Sequence, residues 1–174
     1  MTAGLTSHQQ RVWYRGRRLS TAEWNTLVAQ HRGGDPYPQE AEVMTGETGG
    51  VHVHPLPHVE LHSPTGMEWG YPGSGPADLA LSILADFFGE EPAAVRAAGR
   101  TWHAEPSLAW LLHQTFKAEV VGHLTGSAWR LTGWDVQQWL DHSEHAQALL
   151  VLHWRSVAHR LEREREAAEE GSDD

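Results

Sequence analysis

The sequence predicts an α+β fold, with a small antiparallel sheet packed against several helices and a long C-terminal helix. Three observations carry that prediction. Short alternating or aromatic runs lie before residue 72, helical apolar spacing dominates after residue 76, and a glycine-rich stretch separates the two regimes. A chain of 174 residues with 40% hydrophobic content fits one domain, read as 11–161 between a flexible 1–10 and an acidic tail at 162–174.

The first strand is expected over 11–19, where Val12, Trp13 and Tyr14 favour extended backbone and Gly16 marks a turn or bulge. Ser20 or Thr21 caps a helix through Glu23, Trp24, Leu27 and Val28, which the Gly33-Gly34-Asp35-Pro36 breaker ends. Residues 33–50 carry Gly, Pro, Thr and Glu without periodicity and read as a mobile loop. At 58–62 the pattern alternates, Val59 and Leu61 against His58, Glu60 and His62, and predicts a strand. Ser63-Pro64-Thr65-Gly66 is turn chemistry, so 67–71 is expected to return antiparallel.

Pro76 suits the first position of a helix through Leu79, Leu81, Ile83, Leu84, Phe87 and Phe88, with Gly89 at its end. Pro92 opens a short helix ending at Gly99, and a longer one is expected from Pro106 to Leu124. A short strand at 129–131 is followed by the capping-box pair Thr132 and Asp135, ahead of Val136, Trp139 and Leu140. A similar pair, Asp141 and Glu144, is expected to open the last helix, whose residues Leu150, Trp154, Val157 and Leu161 form one apolar stripe. Beyond Leu161 the sequence predicts a charge run and then disorder.

Composition narrows the function classes. The chain has no cysteine, which excludes disulfides, thiolate metal sites and cysteine nucleophiles and favours a reducing cytoplasm. No stretch approaches the ~18 apolar residues of a bilayer span, so a membrane role is not expected. The net charge is −10, half of it in 162–174, and the one basic cluster is Arg11, Arg15, Arg17 and Arg18, so duplex nucleic acid is not an expected partner. Of nine tryptophans, Trp139 and Trp154 sit on helical stripes and read as core, whereas Trp13, Trp24 and Trp102 lie in polar contexts where an exposed ring would serve recognition.

The densest motif runs from Glu68 to Leu81, Glu-Trp-Gly-Tyr-Pro-Gly-Ser-Gly-Pro-Ala-Asp-Leu-Ala-Leu. It reads as a strand end, a glycine loop and a helix N-terminus whose free N–H groups could face an anion. Tyr71, Gly73, Ser74 and Gly75, with Arg15, Arg17 and Arg18, are therefore the candidate ligand-binding residues. No Lys follows the glycines, and Asp78 already complements the helix dipole. Ser74 lies between adjacent glycines rather than in Gly-x-Ser-x-Gly, which argues against a nucleophile elbow.

The run Glu68 to Leu84, with Tyr14, Gly16 and Arg18 upstream, resembles a bacterial and phage domain-of-unknown-function family with a Trp-Gly-Tyr-Gly-Gly-Ser-Gly-Pro-Ala-x-Leu-Ala-Leu signature. Residues 116–121 resemble a later helix of that family, so the resemblance spans 11–19 and 56–140 and leaves out 33–50 and the extension after 141. Pro72 replaces the second glycine of the signature and stiffens the loop. The resemblance implies a setting in phage or mobile-element biology.

His58, Glu60 and His62 share one face of the expected strand and are the candidate ligands of a divalent metal; no other cofactor is expected. His113 and His153 lie near apolar stripes, where a histidine is hydrogen-bonded or partly exposed more often than catalytic. The sequence therefore predicts a non-enzymatic binding or interaction protein whose partner is another protein or a second copy. The alternative is a small enzyme or sensor of a phosphorylated ligand or nucleotide, held by the glycine loop and the N-terminal arginines.

Overall fold

The computed structural model describes residues 5–30, 39–47, 50–101 and 106–170. Its elements, in chain order, are β1 (Val12–Arg18), α1 (Thr21–Gln30), β2 (Gln39–Glu47), β3 (Gly50–Pro55), α2 (Ser74–Phe88), α3 (Pro92–Arg100), α4 (Leu108–Glu119), β4 (Ala128–Thr132), α5 (Gly133–His142) and α6 (Glu144–Glu170). The architecture is α+β, as the sequence predicts. All strand pairings are antiparallel, in the order β3-β2-β1-β4.

β1 is an inner strand, paired with β2 on one side and β4 on the other, and its side chains alternate. Val12, Tyr14 and Gly16 face the core, and Arg15 and Arg17 face outward. Gly16 is neither turn nor bulge: it pairs in register with Trp129 of β4, whose indole lies across it, and a Cβ added there would stand 2.4 Å from Trp129 Nε1. Glycine here makes room for a large ring on a flat strand. Trp129 in turn meets Trp69 edge to face, with ring centroids 5.9 Å apart.

The sheet departs from the expected one at its other edge. Residues 58–62 and 67–71 are not strands; β2 and β3 take their place, and β2 falls inside the stretch expected to be a loop. Of the rest of that stretch, Gly50 opens β3, and 33–38 and 48–49 lie outside the described residues. β3 is an exposed edge strand, and after it Leu56 keeps one bond to the sheet, N–H to the Ala41 carbonyl at 2.9 Å. The chain then runs irregularly to Gly73.

α2 is the centre of the fold. Almost all of its residues are buried, including Leu79, Ile83 and Phe87, and it lies against α4, which contributes Ala109, Leu112 and Phe116 to the same core. The helix starts at Ser74 with Gly73 as N-cap, two residues earlier than Pro76 suggests, and ends at Gly89 in the left-handed conformation (φ 68°). α4 begins after Ser107, whose hydroxyl accepts the Trp110 N–H, and ends at Glu119, with a 3₁₀ turn over Val121–His123. The capping box of Thr132 and Asp135 forms as expected. α6 is capped by Ser143, which accepts the Ala146 N–H at 3.1 Å; Asp141 is instead taken by Gln137. α6 runs as helix to Glu170, through the charge run that follows Leu161.

Residues 5–11 form a turn in which the Gln9 side chain donates to the Phe87 carbonyl at 3.1 Å, and the Gln9 carbonyl closes over Gly133 at the start of α5. Gly16→Ala is expected to cost about 1–3 kcal/mol by overpacking against Trp129. The urea midpoint should fall accordingly, and a neutral result would contradict the ring's placement over this strand.

Candidate functional site

The glycine loop and the arginines are brought together only in part. Strand pleating puts Arg18 on the inner side of β1 and Arg15 and Arg17 on the outer side. Arg18 reaches the loop: its guanidinium contacts both carboxylate oxygens of Glu68 at 2.8 and 3.1 Å, donates to the Trp69 carbonyl at 3.3 Å, and stacks 4.7 Å above the Trp69 ring. Arg17 is held by Glu23 at 2.7 Å and Glu40 at 2.8 Å. Arg15 faces outward in register with Arg130 of β4 and Glu42 of β2.

Within the loop, the Tyr71 ring folds back over Gly73, where a Cβ would come within 2.2 Å of it, and Gly75 packs on Glu68. Gly70 adopts φ 84° beside the Leu124 carbonyl, and the buried Trp69 indole donates to the Gly126 carbonyl at 3.2 Å. A carboxylate of the protein itself thus occupies the position beside Arg18 that an anionic ligand would need.

The largest polar feature of the core was not read from the sequence. Asp78, Ser82 and Asp86 lie four residues apart on the otherwise apolar α2 and form one polar ridge. Asp78 is fully buried. Its Oδ2 accepts the N–H groups of Leu61 (3.2 Å) and Ser63 (2.9 Å) and lies 3.1 Å from His58 Nε2, while Oδ1 accepts the His62 N–H at 2.9 Å. Burial alone would push this carboxyl up; the hydrogen bonds from His58 and the three amides outweigh it and hold the group below its usual range. Ser82 Oγ accepts the Val59 N–H at 2.9 Å, and Asp86 accepts the Tyr14 hydroxyl at 2.8 Å and lies 3.3 Å from His8 Nε2. Asp78 therefore binds a loop rather than serving mainly as a helix-dipole partner.

The three metal-candidate residues diverge. His58 turns to Asp78, His62 turns to His113, and Glu60 is exposed. Among the described residues no group of three or more such side chains is placed to hold a metal ion.

His62, His113 and Trp110 form a stack, with ring centroids 5.0 Å apart for the two histidines and 4.7 Å for Trp110 and His113. Hydrogen-bond chemistry fixes the protons. The Trp110 carbonyl can only accept, so His113 Nδ1, 2.6 Å away, carries a hydrogen. Burial, the largest effect, holds the His113 pKa down at about 4, so the ring is neutral at pH 7 and its Nε2 accepts. That nitrogen has one lone pair, and it lies 2.8 Å from Gln114 Nε2 and 2.9 Å from His62 Nε2.

A cavity of about 460 Å³ opens at the C-terminal end of α2, lined by His8, Gln9, Pro57, Ser82, Asp86 and Glu90 among others. Two of its carboxylates, Asp86 and Glu90, are engaged. Asp86 holds Tyr14, and Glu90 accepts from Ser107 Oγ at 2.5 Å and from the Leu108 N–H at 2.8 Å, so it serves as an extra cap on α4.

The exposed apolar surface lies elsewhere. α6 is rooted by Ala146, with Leu149 and Leu150 packed against the core, but farther out Trp154 is 56% exposed, Leu161 57% and Leu152 61%. Trp154 is therefore not a core residue, as its stripe suggested. Trp139 is, packing edge to face on Phe116 with centroids 4.7 Å apart. Trp13 and Trp24 are half-buried, Trp134 is 59% exposed, and Trp102 lies outside the described residues.

The segment that carries the Asp78 ridge and its loop is also the part with known relatives. Residues 31–103 match the model of a family of unknown function, DUF6166. The match takes in β2, β3, α2 and α3 and stops before α4, so it includes the 33–50 stretch that the resemblance left out and excludes β1 and everything after 103. No curated protein and no solved structure matches the chain.

Two outcomes follow from the ridge. Asp78→Asn leaves buried amides facing an NH₂ group and is expected to destabilise the fold by about 3 kcal/mol in urea denaturation. His113 sets a pH dependence, because the unfolded imidazole titrates at 6.5 and the folded one at about 4. Between those values only the unfolded chain takes up the proton, so stability should fall by roughly 3 kcal/mol as pH drops through that window. Asp78, held below the usual carboxylate range, adds its loss only at more acid pH. Urea midpoints from pH 8 to 4 should fall for the native chain and stay flatter for His113→Gln.

Proposed function

We propose that this chain is a non-enzymatic interaction protein and that the outer half of α6 is its contact surface. The observation that carries the reading is the stripe running outward from Leu150, where the helix leaves the core, through the exposed Trp154 to Leu161. Exposed aromatic and aliphatic side chains in a continuous row mark interaction surfaces, and tryptophan is the residue that most often dominates their energetics. The helix is supported along this stretch by its own sequence, rich in Ala, Leu, Arg and Glu, and by exposed pairs such as Arg165 with Glu169 at 3.4 Å.

The phosphorylated-ligand alternative would use Arg18 and the glycine loop, and the ligand would have to displace Glu68 from both. Nucleotides and inorganic phosphate are accordingly expected to leave the melting temperature unchanged.

If the stripe serves contacts with a partner, Trp154→Ala with Leu161→Ala should change the stability of the dilute, isolated chain by less than about 0.5 kcal/mol. A loss of several kcal/mol at high dilution would mean that these side chains support the chain's own fold, and the reading would fail.

A further inference from the structure

We propose that the occupant of the α6 face is a second copy of this chain, with the two α6 helices antiparallel about a two-fold axis that passes between Trp154 and Val157. This rests on the reading of α6 as a contact surface and goes beyond it by naming the partner and its orientation.

The spacing sets the orientation. Leu150, Trp154, Val157 and Leu161 follow at intervals of four, three and four residues, a series that reads the same from either end. An isologous contact needs a surface complementary to itself after a half-turn, and a palindromic stripe on a helix meets that need only when the helices run in opposite directions. Leu150 of one copy then lies level with Leu161 of the other, and Trp154 with Val157. The second pairing sets a large ring opposite a small branched side chain, which fills an interface without voids. In heptad terms Leu150 and Val157 occupy d, and Trp154 and Leu161 occupy a; alternate a and d residues then share each layer.

The charges agree with that register. Glu144 and Arg165 both fall at e, and the half-turn brings Glu144 of each copy beside Arg165 of the other, two ion pairs by symmetry. Val151, 47% exposed, falls at e beside Ala158 of the other copy, which widens the apolar strip on the same side. From Arg155 to Glu169 the helix carries four arginines and four glutamates, so two copies of this arm can approach without the net repulsion of an acidic chain. A parallel pair would set Trp154 against Trp154 and would not bring Glu144 beside Arg165, because e then faces g of the other copy.

The chain has no cysteine, so Glu166→Cys gives a single labelling site on the full-length protein at an outward f position. Light scattering should find a dimer, and spin labels at 166 should lie about 30 Å apart along the pair, against roughly 10–15 Å in a parallel one. Glu144→Arg or Arg165→Glu alone should weaken the dimer about tenfold, Trp154→Ala about a hundredfold or more, and the double charge reversal should restore native affinity. A dimer with close labels, or charge reversals that fail to rescue one another, would overturn the antiparallel arrangement. A chain that stays monomeric at ~100 µM would overturn self-association altogether. Neither result bears on the wider reading of α6, which falls only if Trp154 and Leu161 prove necessary to the isolated fold.

Discussion

A buried carboxylate holds the irregular half of this protein. Between β3 and α2 the chain runs from Leu56 to Gly73 without a ladder, yet it lies over the core, where an unpaired amide is costly. Asp78 resolves that conflict by accepting three of those amides, and Ser82 accepts a fourth. A charge in such a place is tolerated because every partner is a donor; the attraction of aligned N–H groups replaces the hydration that burial removes. The consequences reach well beyond the loop. Val59 enters the core, Leu61 comes against Gly99 of α3, and His62 is placed over His113 of α4.

What could be read in the sequence was local. The capping box of Thr132 and Asp135, the glycine stop at Gly89 and the alternation of β1 depend on neighbours within a few residues, and each forms as the sequence indicates. The alternation of His58, Glu60 and His62 with Val59 and Leu61 holds only at Val59, which is buried, and Glu60, which is exposed; the other three are half-buried. A period also does not say what the amides bond to. Here they bond to side chains of a helix that starts eleven residues after Ser63, and nothing in the local pattern distinguishes that from a ladder. β2 was missed for the converse reason. Its run of Gln, Glu, Ala, Val, Met and Thr has little strand character of its own and becomes a strand by pairing with β1 on one side and β3 on the other.

The candidate site divides along the same line. Glycine loops at helix N-termini are read as anion seats because the free N–H groups are a property of the motif. Whether the seat is open is a property of the fold. Arg18, on the inner side of β1, and Glu68 meet at that seat and neutralise each other, with Tyr71 folded over Gly73. In the same way the stripe of α6 was visible as a period, but a period does not say which body covers it. Trp139 and Trp154 stand on equally good stripes fifteen residues apart; Phe116 packs on the first, and the second is 56% exposed.

The span of the family match adds a constraint of its own. The matched segment, 31–103, contains α2, the most buried helix of the protein, together with the loop it binds. It does not contain what covers the rest of that helix. Tyr14 of β1 closes on Asp86, and Leu112 and Phe116 of α4 fill the same core, all from outside the match. Since α2 is apolar on nearly every side, the matched segment leaves part of it to be covered from elsewhere in this chain. In this protein α4 lies along α2 and Tyr14 of β1 reaches Asp86, and α4 and α5 are also the elements on which the base of α6 rests. The core that buries Asp78 therefore also fixes where the exposed arm of α6, the proposed contact surface, leaves the body.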